Sequence, residues 1–154
     1  MPPHEAKREQ VFRYAVVSDT HLRPGGESSS PWATNLLTND RARWVLDRIN
    51  RSGANLVIHL GDIIHPVPHQ PSYTSAAQVA KNMFEALNAP IYLLPGNHDV
   101  GDKHNPNVPS FTVDRHGLDI YRKWFGEPYR SFDAGGVHFV LMNSSVLNSG
   151  LREE

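Results

Sequence analysis

Apolar and polar positions fall into two alternating textures along this chain. Three short, nearly unbroken apolar runs, Phe12 to Ser18, Leu56 to Leu60 and Ile91 to Leu94, read as strands. A strand covered on both faces needs no polar alternation. Between them the apolar positions recur with helical spacing. Ala42, Val45, Leu46 and Ile49 mark a helix over 40–52, with Asn39 or Asp40 placed to cap it and Gly53 to end it. Ala76, Val79, Ala80, Met83, Phe84 and Leu87 mark a second over 74–87. The order β-α-β-α-β, with connections of crossover length, predicts parallel strands joined by right-handed crossovers. A shorter helix over 116–125 carries Ile120, Tyr121, Trp124 and Phe125 and stops at Gly126. Tyr129 to Asp133 and Val137 to Met142 then flank Ala134-Gly135-Gly136, which predicts a β-hairpin. The fold class is α/β: a layered parallel sheet flanked by helices, plus the hairpin. Residues 1–11 read as a flexible leader, 12–144 as the domain and 145–154 as a polar tail.

Composition narrows the function classes. With 15 Lys+Arg against 16 Asp+Glu the net charge is −1, which gives no general electrostatic case for a nucleic-acid surface. There is no cysteine, so disulfides and thiolate metal sites are excluded. No apolar run approaches a membrane span, and the polar start lacks a secretory signal, so the expected compartment is cytoplasmic. Nine histidines in 154 residues raise the question of metal.

Each predicted strand ends in polar residues. Asp19-Thr20-His21 closes the first, Gly61-Asp62 the second and Gly96-Asn97-His98-Asp99 the third. In a parallel sheet these endings share the carboxyl edge, where such sheets bind ligands. Asp19 and His21, two apart in extended chain, point the same way. A carboxylate with an imidazole suits a borderline divalent metal. Asp62 has two oxygens with which to bridge a pair of ions, and Gly61 leaves room beside it. Asn97 offers a neutral oxygen. His98 and Asp99 make a plausible acid pair, the carboxylate orienting the imidazole. His59 and His138, inside strands, read as structural. For His65 and His69 ordinary loop polarity outweighs makeshift ligation, and His104 is read the same way. Arg23 reads as a solvated loop arginine.

Asp-x-His, Gly-Asp and Gly-Asn-His-Asp, in this order and each closing an apolar strand, make the chain resemble the calcineurin-like metallophosphoesterase superfamily from about Phe12 to Asn143. The resemblance implies that Asp19 and His21 bind a first metal, Asp62 bridges and Asn97 binds a second. It implies that His98 donates a proton or stabilises charge, supported by Asp99. The activity implied is hydrolysis of a phosphoester substrate, mono- or diester, by a hydroxide activated between two ions of Mn, Fe or Zn. The family's later Gly-His and Gly-His-x-His motifs have no counterpart, since none of His104, His116 and His138 follows a glycine. The chain is therefore expected to match the first half of the family's αββα sandwich, with an incomplete site holding one ion rather than two. It is expected to dimerise or to need a complementing C-terminal half. The alternative is a non-catalytic metal- or phosphate-binding regulatory module. An unrelated nucleotide-binding α/β domain is disfavoured, because no Gly-rich phosphate loop opens the first helix.

Overall fold

The computed structural model describes residues 12–25, 32–103, 105 and 111–153. The leader and His104 lie outside the described residues. Strands β1 (Tyr14–Val17), β2 (Leu56–His59) and β3 (Ile91–Leu93) form a parallel sheet in the order β1-β2-β3. Ala15 pairs with Val57, Val17 with His59, and His59 with Leu93. Helices α1 (Thr38–Ser52) and α2 (Tyr73–Phe84) are the crossovers, followed by a short α3 (Asn97–Val100) and by α4 (Arg115–Phe125). The hairpin is β4 (Arg130–Ala134) with β5 (Val137–Leu141), antiparallel and in a sheet of its own. Gly135 and Gly136 both take positive φ at its turn, the backbone a tight two-residue hairpin loop requires.

Strand parity divides the core in two. On one face Ile91 and Leu93 meet the apolar sides of the helices, with Leu46, Ala76, Ala80, Phe84, Leu118 and Tyr121. On the other, Leu56, Ile58, Tyr92 and Leu94 meet the hairpin through Phe132, Phe139 and Leu141. Tyr92 stacks on Phe132 at 4.0 Å, and Tyr14 meets the edge of Phe139 at 5.5 Å. Helices, sheet and hairpin thus make three layers. The outer surface of the hairpin is open: Val140 and Met142 are 62% and 71% exposed.

Several expectations change in detail. The strands are shorter than the apolar runs, because pairing ends before the polar endings begin. Neither Asn39 nor Asp40 caps α1, which starts at Thr38 after a 3-10 turn over Ala33–Leu37. Asn39 instead bonds both backbone groups of Arg23, tying the loop after β1 to the helix. Helix α3 begins directly in the polar ending of the third strand, with Asn97 its first residue. The polar tail packs onto the body of the chain over its described residues, 145–153. Val146 is buried, Leu151 packs against the helical core, and Glu153 bonds Arg122.

Candidate metal centre

The strand ends do converge, but by a different device from strand alternation. Asp19 and His21 lie beyond the end of β1, and Asp62 beyond β2. All three take left-handed backbone, at φ of 55°, 43° and 53°. Side chains rarely adopt this conformation, which costs roughly 1–2 kcal/mol per non-glycine residue. Here cross-strand bonds hold it: the Asp19 amide donates to the Gly61 carbonyl at 2.9 Å and the His21 amide to the Asp62 carbonyl at 3.0 Å. The ladder then resumes, with Leu22 paired to Ile64. The two chain segments kink together, and their ligand-type side chains leave the sheet on the same side.

The result is a compact group. His21 Nε2 lies 3.6 Å from Asp62 Oδ2 and 3.9 Å from Asp19 Oδ1. One nitrogen and two carboxylate oxygens fall within 4.8 Å of one another. Asp62 Oδ1 accepts the backbone N–H of His98 at 3.0 Å, which orients the carboxylate. Burial and the neighbouring His98 lower the His21 pKa, against the pull of Asp62 and Asp19, so the ring favours the neutral form that binds a cation. His21 Nδ1 is buried without a hydrogen-bond partner. A hollow of about 320 Å³ opens over Asp19, Asp62, Gly96, Asn97, Asp102 and Ser144. Asn97 is exposed on its rim. An N,O,O donor set held by backbone geometry fits a divalent ion, with Asn97 facing the same hollow.

Asp99 does a different job from the one its sequence position predicts. Its carboxylate is fully buried and accepts the amides of Ile63, Ile64 and Gly96, at 2.8–3.2 Å. The acid pair with His98 is therefore replaced by a backbone clamp, which ties the segment after β2 to the segment after β3. Burial pushes the carboxyl up to about 7, against the downward pull of those three amides. The orienting partner of His98 is the carbonyl of His65, which accepts from His98 Nδ1. A carbonyl only accepts, so Nδ1 carries the proton, and in the neutral ring the Nε2 lone pair is free.

His59 is structural, as its strand position predicts. It is wholly buried and lies 5.7 Å from the Phe84 ring. The Gly61 amide donates to Nδ1 at 3.2 Å, so Nε2 carries the hydrogen and donates to Thr20 Oγ1 at 2.9 Å. The Thr20 hydroxyl in turn donates to the Ile63 carbonyl at 2.9 Å. Thr20, the unassigned middle residue of Asp-x-His, thus pins the first ligand turn to the second. Desolvation lowers the His59 pKa to about 4.

Of the remaining histidines, His65 joins the site and His69 does not. The His21, His65 and His98 rings each offer a nitrogen within 4.8 Å of the others. His69 pairs instead with Asp114, which caps α4 through Gly117. His138 pairs with Asp133 on the hairpin surface. The only early signal for His65 was its place three residues after Asp62.

With this geometry in view, the chain belongs to the calcineurin-like phosphoesterase family, whose profile matches residues 12–151. Among its relatives, the serine/threonine-protein phosphatase CPPED1 of Homo sapiens and that of Pongo abelii are each 31% identical over 116 residues. Those alignments cover 73% of this chain and 33% of the relative, so the chain spans about a third of the length of the curated relatives it matches. A solved dimetal phosphatase from Danio rerio overlays 57% of this chain and 30% of its own, at a TM-score of 0.46 and 18% identity. No described helix is long and apolar enough to cross a membrane.

Proposed function

We propose that this chain carries the first half of a metal-dependent phosphoester hydrolase site. Asp19, His21 and Asp62 would hold one divalent ion, and Asp62 with Asn97 would contribute to a second. Bound ions of this kind neutralise phosphate charge and lower the pKa of water. The chain's own residues do the rest. The His98 amide and the kinked backbone fix Asp62. The His65 carbonyl holds the His98 ring through Nδ1, and on this reading the other ring nitrogen, Nε2, would hold or give a proton at a leaving oxygen. The hollow over Asp19, Asp62 and Asn97 receives the phosphate.

The observation that carries this reading is the convergence of one imidazole and two carboxylates within 4.8 Å on the carboxyl edge of a parallel sheet. Among the described residues that the motifs supply, the second ion would draw on Asp62 and Asn97, and on this reading full activity would take further ligands from another copy or from a complementing C-terminal half. The relatives are named as serine/threonine phosphatases, which makes phosphoserine and phosphothreonine peptides the first substrates to try.

The test measures Mn²⁺-dependent hydrolysis of an aryl phosphate and of a phosphoserine peptide, by the chain alone and mixed with a C-terminal half. We expect weak or no turnover alone, restoration on mixing, and loss of both Mn²⁺ binding and turnover with Asp62→Asn. An Asp62→Asn variant that binds Mn²⁺ and hydrolyses as the parent does would refute the hydrolase reading. Mn²⁺ binding without turnover in any combination would favour the regulatory module.

A further inference from the structure

The three-imidazole group has a construction of its own. His21 is set by the first kinked turn and His65 by the strand pairing that resumes after it: the His65 amide donates to the Leu22 carbonyl at 2.9 Å, and the Leu22 amide to the Ile63 carbonyl at 2.9 Å. His98 reaches the same place from the segment after β3 and is tied to the His65 backbone through Nδ1. The Asp99 clamp on Ile63 and Ile64 fixes those two segments to each other. Ring centroids are 4.6 Å apart for His21 and His98, 5.4 Å for His65 and His98, and 5.9 Å for His21 and His65. Three imidazoles drawn from three segments of chain, with one ring's far nitrogen locked by a carbonyl, have the arrangement of a histidine metal site, including its outer support.

We propose that His21, His65 and His98 form a distinct three-imidazole site for a borderline divalent cation such as Zn²⁺, separate in ligand chemistry from the carboxylate-rich Asp19, His21 and Asp62 group. Tetrahedral Zn²⁺ with bonds of about 2.0–2.1 Å puts ligand nitrogens about 3.4 Å apart. The three nitrogens lie within 4.8 Å of one another, so side-chain rotations that close the separations by at most about 1.4 Å complete it. All-nitrogen ligation favours Zn²⁺, Co²⁺ or Ni²⁺, whereas carboxylate oxygens favour Mn²⁺ or Mg²⁺. The two groups share His21, so they compete for it. On the hydrolase reading, a cation here and His98 acting as an acid also exclude one another. The site itself does not depend on that reading.

The test is calorimetric titration of the chain with Zn²⁺ and with Mn²⁺, in parent, His65→Gln and Asp19→Asn forms. His65→Gln should weaken Zn²⁺ at least tenfold and change Mn²⁺ less than twofold. Asp19→Asn should weaken Mn²⁺ more than Zn²⁺. Zn²⁺ affinity that stays within twofold in His65→Gln overturns the site. Parent chain followed by imidazole proton resonances during Zn²⁺ addition gives an answer that needs no variant. Coincident, saturable shifts of His21, His65 and His98 are the expected result, and a static His65 overturns it. If Asp62→Asn leaves metal binding and hydrolysis as in the parent while Zn²⁺ behaves as stated, the hydrolase reading falls and this site stands.

Discussion

At the scale of single residues, the site depends on buried polar groups that never face the hollow. Removing the Asp99 carboxylate leaves the amides of Ile63, Ile64 and Gly96 without their acceptor. Asp99→Ala should cost about 3–5 kcal/mol in urea unfolding, in line with the loss of a buried network. His59 gives a pH signature. Its folded pKa of about 4 lies below the ordinary imidazole value of about 6.5, so the unfolded chain takes up the proton first. Stability from this group is complete above 6.5 and is lost as pH falls toward 4, by about 3 kcal/mol in total. Asp99 runs the opposite way: its folded pKa of about 7 exceeds the ordinary carboxylate value of about 3.8, so its contribution is present at low pH and lost as pH rises through 7. The two slopes oppose each other between pH 4 and 6.5. His59→Gln should therefore expose a stability that falls with rising pH over that window, measured by denaturant unfolding at each pH. A flat profile for this variant would contradict the assignment.

At the scale of elements, the endings of β2 and β3 touch through glycine. A Cβ on Gly61 would lie 2.3 Å from the Gly96 amide nitrogen, and one on Gly96 would lie 2.2 Å from Asp62 Oδ1. Gly61 also has φ of 109°, which a side chain rarely tolerates. Gly96→Ala would also bring a Cβ within 2.4 Å of the Asp62 backbone nitrogen, so it should displace both the carboxylate and the backbone of Asp62 and weaken Mn²⁺ at least tenfold by titration, with far-UV circular dichroism as the check on the fold. The elements themselves were legible from the chain: three apolar runs, two amphipathic crossovers and a Gly-Gly hairpin all stand where periodicity put them. Boundaries were not: β1 ends at Val17 and β2 at His59, one residue before the ends that the apolar runs suggest, because strand ends are set by cross-strand pairing rather than by local hydropathy. Nor was α3, whose single turn is too short to show a period.

At the scale of the whole molecule, layers and site are coupled. Any cation that binds the folded chain alone raises its stability by mass action, about 2.7 kcal/mol at a hundredfold excess over Kd. Saturating Mn²⁺ should raise the thermal midpoint, EDTA should reverse the rise, and Asp19→Asn should abolish it. A midpoint indifferent to Mn²⁺ would argue against an ion held by Asp19, His21 and Asp62. Val140 in the hairpin, Met142 just after it, and Tyr14 and Val16 in β1 are each more than half exposed, so the hairpin and the β1 edge of the sheet both carry apolar surface.

The sequence alone determined the order of strands and helices, and which chemical groups stand at each strand end. Both are local: apolar periodicity follows from which face is buried, and the three motifs are contiguous in the chain. Only the tertiary structure decided how those groups meet. It turned Asp19, His21 and Asp62 together through left-handed kinks rather than strand alternation, made Asp99 a clamp rather than a proton partner, and drew His65 beside His98. These outcomes depend on hydrogen bonds between segments more than thirty residues apart, and no local pattern of side chains encodes which distant amide a carboxylate will find.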